Sequence, residues 1–139
     1  MIDDDRDDFD LITEAIHDIN PEVSVFFLDR CEDGIHYKDY HFDMIFLDIN
    51  MPFHDGFSWL KGLRESGCSF PIIMYTNSSN PAHVVKAYEE GATLYFPKPE
   101  SFRTLLDGIR KLLDLDWADP FSIKNIYSQN GHYTTFKVA

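Results

Sequence analysis

Met44-Ile45-Phe46-Leu47-Asp48-Ile49-Asn50-Met51-Pro52 opens with four consecutive apolar residues and then meets an acid. A short run that is apolar at every position, bounded by turn residues, is the pattern of a strand buried on both faces. The pattern recurs downstream. Residues 72–75, Ile-Ile-Met-Tyr, are followed by Thr76, and residues 94–96, Leu-Tyr-Phe, by Pro97 and Lys98. Upstream, Ile2 is followed by Asp3 and Asp4, and residues 23–28 are a β-rich run.

Between these runs the period changes. Phe9, Ile12, Ile16 and Ile19 share one helical face, as do Phe57, Leu60 and Leu63 within residues 56–65. Asn80-Pro81 is a helix start, with Asn as N-cap and Pro in the first turn, and Gly91 is the matching stop. Phe102, Leu105, Leu106, Ile109, Leu112 and Leu113 form the cleanest amphipathic stripe in the chain. Residues 33–39 are read as a short helix. Strands alternating with helices of this length predict an α/β fold, a parallel sheet covered on both faces.

The 139 residues suit one domain, and 44% hydrophobic content suits one ordinary core. No stretch approaches the roughly 20 apolar residues of a membrane span, and no secretory leader opens the chain. A cytoplasmic protein with no membrane partner is expected, with Cys31 and Cys68 reduced. The formal net charge of −12 argues against nucleic acid as a partner, because phosphate backbones demand a basic surface.

In an open parallel sheet, ligands bind beyond the carboxyl ends of the strands. This topology gathers Asp3, Asp4, Asp48, Thr76 and Lys98 at one edge. Clustered carboxylates repel each other, and a divalent cation relieves that repulsion. Oxygen ligands with room for water suit Mg²⁺. A carboxylate can act as nucleophile and form an aspartyl phosphate. A lysine and a hydroxyl can hold the added phosphoryl oxygens. The set reads as phosphoryl transfer onto a carboxylate.

These residues stand in motifs: Ile2-Asp3-Asp4, Phe46-Leu47-Asp48-Ile49-Asn50-Met51-Pro52 with Asp55-Gly56, Met74-Tyr75-Thr76, and Tyr95-Phe96-Pro97-Lys98-Pro99. In this order and spacing the chain resembles the response-regulator receiver family over about residues 1–114. The resemblance implies a flavodoxin-like, doubly wound, five-stranded parallel sheet of order 2-1-3-4-5. It implies Asp48 as phosphoacceptor, and Asp4, Asp48 and the Asn50 backbone carbonyl as Mg²⁺ ligands, with Asp3 acting through water. Thr76 and Lys98 bind the phosphoryl group, Thr76 and Tyr95 carry the switch, and Asn50 and Ser78 tune the lifetime of the phosphoryl group. Lys98-Pro99 looks like the family's cis peptide. The implied partners are a sensor histidine kinase or histidine phosphotransfer protein and a downstream protein target. Such a module catalyses only its own phosphorylation and dephosphorylation and is not a turnover enzyme.

Two departures stand out. Asn77 follows Thr76 where the family has a smaller residue. Only Met1 and Ile2 precede the acidic pair, so the first strand is short. A degenerate receiver that only binds proteins is therefore the alternative reading. A haloacid-dehalogenase-type phosphatase needs an Asp two residues after the nucleophile, and Asn50 cannot do that proton transfer. Asp7 and Asp8 read as solvated helix-start residues. Residues 116–139 form an extension to the 1–115 domain. Asn130-Gly131, between Ile126-Tyr127 and residues 133–136, is a hairpin signal. The tail is thus read as a hairpin, a strand exchanged in a homodimer, or a free tail.

Overall fold

The computed structural model describes residues 1–28, 42–51 and 55–137. The short helix expected at residues 33–39, and Cys31, lie outside them. The described chain runs α1 (Arg6–Ile19), β1 (Ile45–Leu47), α2 (Gly56–Glu65), β2 (Ile72–Thr76), α3 (Pro81–Glu89), β3 (Leu94–Pro97), α4 (Phe102–Leu113) and α5 (Pro120–Tyr127). β1, β2 and β3 form a parallel sheet in that order, with Ile45 opposite Ile72 and Ile73 opposite Leu94.

Alternation divides each strand between two cores. Ile45, Leu47, Ile72, Met74 and Tyr95 face α2 and α3, packing with Leu60, Leu63, Ala87 and Tyr88. Phe46, Ile73, Tyr75, Leu94 and Phe96 face α1 and α4, packing with Ile12, Ile16, Leu105, Ile109 and Leu112. Burial on both faces explains why the strands carry no polar alternation. The α/β class and the parallel sheet read from the sequence are present.

The described sheet has three regular strands where five were expected. Met1–Asp3 lies beside β1 and makes single parallel bridges, Ile2 to Leu47 and Ile2 to Leu28. Ile2 N–H donates to the Phe46 carbonyl at 2.7 Å, and Asp48 N–H donates to the Ile2 carbonyl at 3.0 Å. The segment thus makes one bridge on each side and no regular ladder among the described residues. A cavity of about 650 Å³ extends from this point toward the amino ends of the strands, between Val23, Val25, Met44 and Phe46.

The tail differs from the hairpin expectation. Asp119 caps α5, its carboxylate accepting from Ser122 N–H at 3.2 Å, and Pro120 begins the helix. This N-cap and Pro pair is a stronger local instruction than the strand propensity of Ile126 and Tyr127. Asn130-Gly131 does turn the chain, with φ of 53° and 75°. No ladder follows. The chain instead returns across the domain, and Ile123 and Phe136 enter the core beside α4. The tail is therefore packed and helical rather than free or hairpin-forming.

Lys98-Pro99, expected cis, is trans, since the described residues hold no cis peptide. Trans is the lower-energy form of an X–Pro bond by roughly 0.5–1 kcal/mol. Lys98 N–H extends the β2–β3 pairing by donating to the Thr76 carbonyl at 2.8 Å. No described helix is long and apolar enough to cross a membrane.

Candidate functional site: four carboxylates and a lysine at the sheet edge

Asp3, Asp48, Thr76 and Lys98 lie at the carboxyl ends of neighbouring extended segments. Asp3 and Thr76 are fully buried, and Asp48 is 5% exposed. Single ligand oxygens of Asp3, Asp4 and Asp48 lie within 4.8 Å of one another. These three, all oxygen donors, could hold a metal ion. Lys98 Nζ donates to Asp8 Oδ2 at 2.6 Å, Asp3 Oδ2 at 2.9 Å and Asp48 Oδ2 at 3.3 Å. It also lies 5.5 Å from the centre of the Tyr75 ring.

Local backbone holds this geometry. Asp3 Oδ1 accepts from Asp5 N–H at 3.0 Å, and Asp48 Oδ1 accepts from Asn50 N–H at 3.3 Å. Gly56, at the start of α2, sits directly against the Asp48 backbone. A Cβ there would lie 2.1 Å from the Asp48 carbonyl oxygen, so only glycine permits this approach. Asp55 caps α2, accepting from Phe57 N–H at 3.0 Å.

Burial is the largest influence on Asp48 and lifts its pKa from 3.8 to about 6, against the pull of Lys98. Asp4 is raised as well, by desolvation and then by its hydrogen bond with Asp3. Burial works against charge on Lys98. Its hydrogen bonds to Asp8 and Asp3 outweigh that penalty and hold it above the ordinary lysine range. An excess of buried negative charge over one ammonium is a site poised for a cation.

An open cleft of about 370 Å³ leads to the cluster, lined by Asp4, Asp8, Asp48, Asn50, Asn77 and Lys98 among others. Asn77, flagged in the sequence for its bulk, therefore borders the site. The Thr76 hydroxyl accepts from Ser78 N–H at 3.3 Å. Ser78 Oγ is 2.5 Å from His83 Nδ1. The Tyr95 hydroxyl donates to the Ser78 carbonyl at 2.7 Å, tying β3 to the loop after Thr76.

The sequence reading missed Asp8. It read as a solvated helix-start residue, yet it is the nearest carboxylate to Lys98. The signal was Asp5. Asp5 caps α1, accepting from Asp7 N–H at 2.9 Å and Asp8 N–H at 3.3 Å. That cap puts Asp8 in the first helical turn, directly over the strand ends.

The model of the response regulator receiver domain matches residues 1–110. The transcriptional regulatory protein CpxR of Escherichia coli is 33% identical over 116 residues, 81% of this chain and 47% of CpxR. The chemotaxis protein CheY of Halobacterium salinarum is 32% identical over 89 residues, 61% of this chain and 74% of CheY. The transcriptional regulatory protein PcoR of Escherichia coli is 40% identical over 72 residues, 52% of this chain and 32% of PcoR. The chain thus spans less than half the length of these transcriptional regulators. Among solved structures, a receiver domain from Rhodospirillum rubrum superposes with a TM-score of 0.70 at 22% identity, over 81% of this chain and 87% of that one. Vibrio cholerae CheY4 gives 0.66 at 25% identity, over 79% and 92%. With a sheet edge that gathers the acids, the hydroxyl and the lysine, and a family match over most of its length, this chain belongs to the response regulator receiver domain family, the signalling modules of two-component systems.

Proposed function

We propose that the chain accepts a phosphoryl group on Asp48 and signals through a change at its surface. The supporting observation is Lys98 Nζ lying 3.3 Å from Asp48 and 2.9 Å from Asp3, over a cleft open to solvent. Asp48 attacks the phosphorus of a phosphohistidine on a sensor histidine kinase or phosphotransfer protein. An O–P bond forms, the N–P bond breaks, and the imidazole leaves with a proton from solvent. Asp4, Asp48 and the Asn50 carbonyl would hold Mg²⁺, with Asp3 acting through water, and a bound ion would supply positive charge against the phosphoryl oxygens. Lys98 pairs with one phosphoryl oxygen and Thr76 donates to another. Asn50 lines the cleft beside Asp48, Ser78 follows Thr76 by two residues, and the two set how readily water reaches the acceptor. Tyr95, hydrogen-bonded to Ser78, reports the state of the site.

The module turns over no free substrate. In this reading residues 1–115 are the receiver and 116–139 an appended segment, and the Met1–Asp3 and 23–28 segments complete the 2-1-3-4-5 order. The acidic chain itself contacts proteins rather than nucleic acid, in the cytoplasm.

The test is intact mass after incubation with acetyl phosphate and Mg²⁺, beside Asp48→Asn. A phosphoryl adduct on the unmodified chain, absent in the variant and without Mg²⁺, supports the reading. A folded protein with no adduct favours a receiver that only binds partners.

A further inference from the structure

Ser78 follows Thr76 by two residues, yet the wall of the acidic cleft is made by Asn77 and not by Ser78. The Ser78 backbone is held at both ends. Its N–H donates to the Thr76 hydroxyl at 3.3 Å, and its carbonyl accepts from the Tyr95 hydroxyl at 2.7 Å. The side chain alone keeps a choice of direction, and it turns to α3, where Oγ lies 2.5 Å from His83 Nδ1. Asn80 N–H makes a longer contact with the same oxygen, at 3.4 Å.

His83 is braced for this contact. Its backbone N–H donates to the carbonyl of Asn80, the N-cap of α3, at 2.9 Å. Its half-buried ring meets the buried Phe57 ring at 5.6 Å between centres and 64° between planes. Phe57 follows Gly56, which lies against the Asp48 backbone, and the Lys86 ammonium stands 4.6 Å from the Phe57 ring centre. The imidazole thus bridges the loop after Thr76 and the start of α2. The bond to Ser78 survives either form of the ring, since Nδ1 accepts from the hydroxyl when bare and donates to it when protonated.

We propose, on the receiver reading above, that His83 is a positioning residue: it withholds the Ser78 hydroxyl from the cleft and so lengthens the life of the phosphoryl group on Asp48. That group is lost by hydrolysis. A water oxygen bonds to phosphorus as the bond from phosphorus to the Asp48 carboxylate oxygen breaks. The carboxylate is regenerated, one water proton stays on the phosphate, and the other passes to solvent. A serine hydroxyl in the cleft would accept a hydrogen bond from that water and aim its oxygen. Side chains move between staggered wells, so a Ser78 released from His83 can turn its hydroxyl toward the cleft. Bonded to His83, it is kept out.

The test is the decay of the adduct. The full chain is phosphorylated with acetyl phosphate and Mg²⁺, desalted, and followed by intact mass, with Tm measured beside it. His83→Leu, which fills the space against Phe57 without a ring nitrogen, should lose the phosphoryl group about threefold faster or more, the scale of one hydrogen bond. His83→Asn, which returns a hydrogen-bonding atom near the Nδ1 position, should restore the slower decay. In a Ser78→Ala background, His83→Leu should add no acceleration, because the two residues act as one unit. A contact that merely braces α3 would lower Tm and leave the decay unchanged. Unchanged decay in folded His83→Leu, or equal acceleration with and without Ser78→Ala, overturns the proposal and leaves the receiver intact. No adduct on the unmodified chain overturns both, because there is then no phosphoryl group to protect.

Discussion

Lys98 has three carboxylates within hydrogen-bonding distance, and the shortest contact, 2.6 Å, is to Asp8 rather than to Asp48. An ammonium shared in this way is only partly available to an incoming phosphoryl oxygen. Asp8→Asn should keep the fold and leave Lys98 to Asp3 and Asp48. Phosphorylation from acetyl phosphate should then run severalfold faster at fixed Mg²⁺, and Asp8→Glu should restore the slower rate. Equal rates in all three proteins would show that Asp8 merely borders the site. Asp48 yields a prediction on stability. Burial raises its pKa from 3.8 to about 6. The folded chain therefore keeps a proton there that the unfolded chain has already released. Below about pH 3.8 the two states agree and nothing is lost. Stability falls as pH rises through this window, and the full cost of the buried charge is present above pH 6. Asp48→Asn carries no charge, so without metal at pH 7.5 it should be more stable by on the order of 1–3 kcal/mol. Near pH 4 the difference should vanish. Urea denaturation in EDTA at both pH values measures this, and a variant less stable at pH 7.5 would refute the assigned cause.

Helix α2 contains two glycines with opposite roles. Gly56 lies against the Asp48 carbonyl, and a Cβ there has no room. Gly62 has nothing within 4 Å of its would-be Cβ. Gly56→Ala should therefore force α2 off β1, costing about 3 kcal/mol and displacing Asp48, so that phosphorylation falls with stability. Gly62→Ala should instead add up to about 1 kcal/mol, because alanine loses less backbone entropy in a helix. Thermal melts of the pair, with acetyl phosphate labelling, separate the two effects. A Gly56→Ala variant as stable as Gly62→Ala would count against the packing argument. Periodicity could not distinguish these glycines, since both sit in the same amphipathic pattern. What was legible came from features complete within a short window. The apolar runs marked β1, β2 and β3, and Asn80-Pro81 marked α3, where the Asn80 side chain accepts from Ala82 N–H at 3.0 Å. The order of Asp3, Asp48, Thr76 and Lys98 after those runs placed the cluster at one edge. What was illegible depended on distant partners. Asp8 gains its place only because the α1 cap turns it over Lys98. The tail gains its path only because Tyr95 and Tyr88 offer hydrogen bonds at the other end of it.

At the scale of the molecule, a net charge of −12 sits on a fold whose acidic site holds Asp3, Asp4, Asp8 and Asp48 around one lysine. Two electrostatic effects follow, and they respond differently to ions. Repulsion spread over the surface is screened by any salt within a Debye length, about 8 Å at physiological ionic strength. The buried excess at the sheet edge is screened far less and answers to a cation that binds there. Mg²⁺ should therefore stabilise the chain beyond NaCl of equal ionic strength. A ligand that binds only the folded state at ten times its Kd contributes about 1.4 kcal/mol, a rise of several degrees in Tm for a domain of this size. Asp48→Asn removes one ligand charge and should lose most of the Mg²⁺-specific increment. It should still respond to NaCl as the unmodified chain does, because its surface charge is nearly the same. Melting curves in matched Mg²⁺ and NaCl series for both proteins decide the matter. If the curves coincide at equal ionic strength, the acids are only a charged surface and the metal assignment falls. If they separate in the unmodified chain alone, the ion sits against Asp48, the proposed phosphoacceptor.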